Sequence, residues 1–204
     1  MKSFKKPKYF LVYDSPDREN EVDLAIPAEL ITPADIRLLR KEAGGLICLA
    51  VAKEIAKKLA LPFLSDVLKN YGFAELVEKK IPYGEKSSFS LSINHIDTFT
   101  GITDYDRALT IRKFVEVARS ENARERFYKE FRSPGHIFLL IERENRKGHT
   151  ELSIKLMRKF GYFPCAVICE MLDDNFKALS KEKAKEYAKR KGYLFFEGKD
   201  LIRI

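Results

Sequence analysis

No apolar run in the 204 residues approaches the roughly 20 that a membrane-crossing helix needs, so neither a membrane span nor a membrane partner is expected. The opening MKSFKKPK is basic. The apolar run behind it is only about six residues long and has no small-residue cleavage site, unlike a secretory leader. A cytoplasmic protein is expected. Cysteine is scarce: Cys48, Cys165 and Cys169 all lie in apolar segments, an odd count that suits reduced, buried thiols. With CAVICEM as a strand, Cys165 and Cys169 stand roughly 13 Å apart, too far for a disulfide or a shared ion. Fixed-period repeats, low-complexity tracts and linkers are also missing. One compact domain over residues 1–204 follows, long enough to close a core without disulfides or a structural metal.

Charge is plentiful. A net charge of +8 raises nucleic acid as a partner. The lysines and arginines, however, are mixed with glutamate on helix-like segments such as SKEKAKEYAKRKG, without aromatic interleaving or a nucleic-acid motif. Solvated helix faces account for them and no nucleic-acid partner is expected. A basic balance also suits a phosphorylated substrate.

Strand signals are YFLVYD, GLICLAV, FSLSIN, HIFLLIE, CAVICEM and YLFFE, several of them apolar on both faces, as in a sheet covered on two sides. Helix signals are Thr32-Pro33 before ADIRLLRKEA and Gly44-Gly45, Thr150 before ELSIKLMRKF and Gly161, and Ser180 before KEKAKEYAKRK and Gly192. The alternation in SSFSLSIN marks an antiparallel strand. The fold class is α+β: a three-layer α/β/α domain with a mixed, twisted sheet.

Four segments carry possible chemistry. In DRENEVD, an extended chain places Glu19, Glu21 and Asp23 on one face about 7 Å apart. That face suits a hard divalent cation or a polyhydroxylated substrate; the alternative is a solvated loop. In RKGHTE, His149 stands before the expected cap Thr150, so its ring shares space with free N–H groups of a helix start. Arg146 there could clamp a phosphate; the alternative is an ordinary helix start. In RSPGH, a Pro134-Gly135 turn delivers His136 to the mouth of a strand as an acid or base, or as a surface histidine. Glu170, at the end of an apolar run, is either a proton carrier or an edge carboxylate reaching water. His95 reads as a surface residue.

In their joint order, DRENEVDLAIPAE, GGLICLA, SFSLSINHIDTFTGITDYDRALTI, SPGHIFLL, RKGHTE and PCAVICEM resemble the 3,4-dihydroxy-2-butanone 4-phosphate synthases of riboflavin biosynthesis, over about residues 9 to 204. The resemblance implies a magnesium- or manganese-dependent lyase acting on D-ribulose 5-phosphate, with formate as second product. It also implies a homodimer with active sites at the interface. Glu19 and His149 match the family's metal ligands, and Arg18, Glu19, Asp23 and Glu170 its substrate contacts. Arg146, Lys147, Gly148, His149 and Thr150 match its substrate and phosphate segment. Glu19, Asp23, His136 and Glu170 match catalytic positions.

The sequence departs from the family pattern in places. Val22 stands where the motif has glycine, and only eight residues precede Tyr9. The short loop after His136 leaves open whether Arg143 or Arg146 fills the arginine position, and Asn175-Phe176 replaces a glycine. No GTP cyclohydrolase II-like segment follows, as expected of a single-activity form. The rival readings are another metal-dependent sugar-phosphate isomerase or aldolase, and a lapsed paralogue that binds a sugar phosphate without turnover.

Overall fold

The apolar runs become the middle of one sheet. A computed structural model describes residues 6–79, 81 and 83–202, so the basic stretch at 1–5 lies outside the described residues. The strands are β1 (Phe10–Tyr13), β2 (Val22–Pro27), β3 (Cys48–Val51), β4 (Phe89–His95), β5 (Phe131–Ile141), β6 (Cys165–Glu170) and β7 (Leu194–Glu197). Their order across the sheet is β4-β5-β3-β6-β2-β1-β7. The sheet is mixed, as expected: β3 pairs parallel with β5 and β1 with β7, while β1–β2, β2–β6, β3–β6 and β4–β5 are antiparallel. The central strands β1, β2 and β3 are buried at every position, which requires cover on both faces.

Helices supply that cover. The helix α5 (Asp104–Arg119) packs with α1 (Pro33–Leu38), α2 (Lys53–Leu59) and α6 (Ala123–Glu130). The helix α7 (His149–Lys159) lies against β1, β2, β3 and β6 and meets α9 (Gly198–Ile202). Short helices α3 (Leu64–Asn70) and α4 (Ala74–Glu78) stand before β4, and α8 (Lys181–Lys191) flanks β1 and β7. The three expected helices are α1, α7 and α8; α5, the longest described, is capped by Thr103 accepting from Asp106 N–H.

Two expectations are corrected here. His95 is buried, not on the surface: it ends β4 with its ring edge-on to Phe131. Pro134-Gly135 makes no turn before a strand, because β5 already begins at Phe131. Ile93 pairs with Ile137 but Asn94 with Arg132, so residues 133–136 form a bulge and His136 sits within the strand.

Asp35 anchors the chain entry to α1. Buried in the helix's first turn, its carboxylate accepts from Lys8 Nζ (2.7 Å), Tyr9 OH (2.7 Å), Thr32 N–H (2.7 Å) and Thr32 Oγ1 (2.6 Å). Burial alone would raise its pKa, but the bonds from Lys8, Thr32 and Tyr9 outweigh that and hold it below the usual range. Asp35→Ala removes the carboxylate half of the capping box and takes the acceptor from all four donors, so urea unfolding should lose about 3 kcal/mol at pH 7. A depressed folded pKa stabilises above the unfolded value, so the wild-type advantage should fade as pH drops below about 4.

Candidate active site

The site forms where β2 begins and β6 ends. After β1 the chain turns at Pro16–Glu19 and Asn20 takes a left-handed φ of 56°. DRENEVD is therefore not extended throughout, a correction to the expected single carboxylate face; only Val22 and Asp23 are strand. Asn20 carries the unusual dihedral, so Val22 needs no left-handed conformation. Asp14, not singled out from the sequence, shapes this loop. Its carboxylate accepts Glu19 N–H (3.0 Å), Glu21 N–H (3.1 Å) and Arg18 Nη1 (3.0 Å).

The turn aims Glu19 at His149. Glu19 Oε2 lies 3.0 Å from His149 Nδ1, and His149 Nε2 lies 3.2 Å from the Glu21 carbonyl and 3.8 Å from Asp23 Oδ1. His149 is the first residue of α7, and the N-cap is Gly148 rather than the expected Thr150. Glu151 Oε2 accepts Gly148 N–H (3.1 Å), the glycine having no side chain to answer with. Thr150 lies inside the first turn and lines the cavity.

The electrostatics follow from burial. Burial disfavours the imidazolium, but Asp23, Glu19 and Asp14 overcome it and raise the His149 pKa. Both ring nitrogens face acceptors, as a doubly protonated ring requires. Glu19 is likewise pulled below the carboxylate range, its desolvation outweighed by His149, Tyr83 and Arg18. Asp23 is pushed up to about 8 by burial, against the pull of His149 and with help from Glu170, Glu19 and Glu21; its Oδ1 is buried without a hydrogen-bond partner. Asp23 and Glu170 are register partners on β2 and β6, which puts like charges on one face.

Glu170 is half-buried. Its Oε2 accepts Leu46 N–H (2.8 Å) and its carbonyl accepts Gly45 N–H (3.0 Å). A Cβ on Gly45 would stand 2.4 Å from Glu170 Oε2, so glycine there lets the backbone hold this carboxylate. Of the two candidate arginines, Arg146 reaches the cluster, with Nη1 2.8 Å from Glu151 Oε2 and Nη2 3.6 Å from Glu19 Oε1. Arg143 instead lies flat on Phe63 and donates to the Ser87 carbonyl. Arg18 packs over the Tyr83 ring, and Tyr83 OH donates to Glu19 Oε1 (2.8 Å). Glu19, Asp23, Tyr83, Arg146, His149, Thr150 and Glu170 share one cavity of about 160 Å³. Lys147 is exposed and lines the neighbouring groove.

His136 stays apart. It is exposed, and its described contacts are with Asn94: Nδ1 to Nδ2 at 3.1 Å, and its N–H to Oδ1 at 2.9 Å. Extending the register puts it level with Glu170 two strands away, about 10 Å across the sheet.

An open mixed sheet between helix layers, with carboxylates, a histidine and paired arginines converging at one end, defines an α/β/α enzyme site of the acid–base type. The 3,4-dihydroxy-2-butanone 4-phosphate synthase family model matches residues 1–204. The chain is 46% identical to the 3,4-dihydroxy-2-butanone 4-phosphate synthase of Methanosarcina mazei, over 99% of this chain and 87% of that protein. It is 43% identical to that of Archaeoglobus fulgidus, over 99% and 90%. A solved 3,4-dihydroxy-2-butanone 4-phosphate synthase in complex with two magnesium ions matches with a TM-score of 0.79 at 29% identity, covering 98% of this chain and 92% of that one. The chain belongs to the 3,4-dihydroxy-2-butanone 4-phosphate synthase family.

Proposed function

We propose that residues 1–204 act as one lyase domain that converts D-ribulose 5-phosphate into L-3,4-dihydroxy-2-butanone 4-phosphate and formate, with Mg2+ or Mn2+ held by Glu19 and His149. The carrying observation is the Glu19–His149 contact beside a buried, unpartnered Asp23 oxygen in a chain of this family. Donor atoms of Asp14, Glu19 and His149 lie within 4.8 Å of one another, a set of oxygens and one nitrogen that fits such a cation. Asp14 is tied to two N–H groups and Arg18 in building the loop, whereas Glu19 and His149 are bonded to each other, a contact that a cation can take over. When bound there, a divalent cation supplies Lewis-acid stabilisation of charge on the sugar's oxygens. The imidazole must give up a proton to ligate.

The chain's own groups divide the remaining work. Arg18 and Arg146 converge beside the start of α7, where backbone N–H groups and guanidinium forks favour a phosphate; Lys147, Gly148 and Thr150 complete that segment. Asp23, its pKa raised by burial, can give a proton to a sugar oxygen, and Glu170 across the ladder can take one from carbon. Formate release with Mg2+ that stops with EDTA and returns on adding Mg2+ tests the reading. An isomerised sugar or a triose without formate would favour an isomerase or aldolase; tight binding without any product would favour a lapsed enzyme.

His136 serves catalysis in a homodimer whose sites are shared between subunits, acting in the partner's cavity. Supporting this, Ile96, Phe99 and Ile102 are exposed on the connection that follows β4, next to Asn94 and His136, with Tyr105 exposed at the start of α5, and such an apolar patch suits a subunit interface. Mixing inactive Glu19→Ala and His136→Ala proteins should restore about a quarter of wild-type formate release, because half of random dimers are mixed and each keeps one intact site. No recovery after subunit exchange would place both residues in one chain's site. Among the described residues no helix is long and apolar enough to cross a membrane, and the proposed setting is the cytoplasm.

A further inference from the structure

The seat between Arg18 and Arg146 is filled by the protein itself. Glu85 Oε1 lies 3.1 Å from Arg18 Nε, and its Oε2 lies 2.5 Å from Arg18 Nη2 and 2.9 Å from Arg146 Nε. Each arginine has a second anchor that does not involve Glu85: Arg18 on Asp14, and Arg146 on Glu151. Glu85 has no described ion pair other than with these two arginines. The arginines are therefore fixed, and the carboxylate is the part free to leave.

The fit is incomplete. Arg146 Nε is buried and, although Glu85 is near, it lacks an aligned hydrogen-bond acceptor. A planar carboxylate cannot serve both forks at once, whereas a phosphoryl group offers three oxygens in three directions. Glu85 and Arg146 also line a groove of about 660 Å³, large enough for a small-molecule site. Tyr83 and Glu85 come from the same turn, with Gly84 N–H on the Ile81 carbonyl (2.8 Å), and together they take up Glu19 and both arginines.

From this we propose that Glu85 is a resident competitor for the substrate's phosphate: its carboxylate occupies the seat between Arg18 and Arg146, and the phosphate binds by displacing it. The inference rests on the assignment of those arginines to the phosphate. A tethered carboxylate acts at a high effective concentration, and a seat that is free one-tenth of the time binds phosphate about tenfold more weakly. Glu85 thereby sets affinity, and it keeps two adjacent guanidiniums neutralised when no substrate is present.

Calorimetric titration with inorganic phosphate at constant Mg2+ and ionic strength tests this. Glu85→Gln should bind phosphate about five- to tenfold more tightly than wild type, with Glu85→Asp in between, and the gain should vanish when Arg146→Ala is added. Thermal melting of each variant reports whether it is folded, and Glu85→Asp keeps the test open if Glu85→Gln is not. Unchanged or weaker binding in Glu85→Gln, with Arg146→Ala still weakening wild type, overturns the competitor while leaving the phosphate seat standing. Binding insensitive to Arg146→Ala and Arg18→Ala in both backgrounds overturns the seat, and the competitor with it.

Discussion

In the expected result, Glu19→Ala gives a folded protein that releases formate at least about a thousandfold more slowly than wild type, with Mg2+ unable to rescue it. The magnitude follows from the number of partners one side chain serves. Glu19 meets His149 Nδ1 at 3.0 Å and Tyr83 OH at 2.8 Å, and stands 3.7 Å from Arg18 and 3.6 Å from Arg146. Glu19→Gln separates charge from shape: it can still accept from Tyr83 but is a poor ligand for a hard cation. A second readout is independent of turnover. Glu19 helps raise the His149 pKa, so in metal-free Glu19→Gln the imidazole should titrate at lower pH than in wild type by NMR. Formate release within tenfold of wild type would remove Glu19 from the proposed centre.

Gly135→Ala is expected to be the most damaging single-methyl change, costing about 3 kcal/mol and roughly 6–12 °C in Tm for a chain of this size. A Cβ at this position would stand 2.0 Å from the Ile93 carbonyl carbon and 2.4 Å from Asn94 N. Both are backbone atoms of β4, so no rotamer change can relieve the clash, and β4 and β5 must separate. Gly135 N–H is also bonded to Ser92 Oγ (3.1 Å) inside the bulge that carries His136. Calorimetric unfolding gives the stability loss, and a shift in Tm below about 2 °C would show that the bulge yields more easily than its packing implies.

Much of the sheet was legible. The runs YFLVYD, GLICLAV, CAVICEM and FSLSIN became β1, β3, β6 and β4 within a few residues, since central strands demand continuous apolar side chains and FSLSIN alternates. The strand β2 was hidden behind charge, because a run opening with Glu21, Val22 and Asp23 does not look buried even though Asp23 is. His95 misled for the opposite reason. Its neighbours Asn94 and Asp97 are polar, while the packing of its ring on Phe131 depends on a residue far along the chain.

By itself the sequence determined the mixed sheet with helices on both sides, the reduced thiols, and the order of motifs that carries the family resemblance. These depend on local periodicity and on residue type. It also named Glu19, Asp23, Arg146, His149 and Glu170, which the fold brings to one cavity. Tertiary structure alone decided which atoms meet. It selected Arg146 over Arg143, made Gly148 the cap of α7, employed Asp14 in building the loop, set His136 apart, and placed Glu85 between two arginines 67 and 61 positions away. The physical reason is that such contacts are fixed by packing and long-range electrostatics across strands distant in the chain, which residue spacing does not encode.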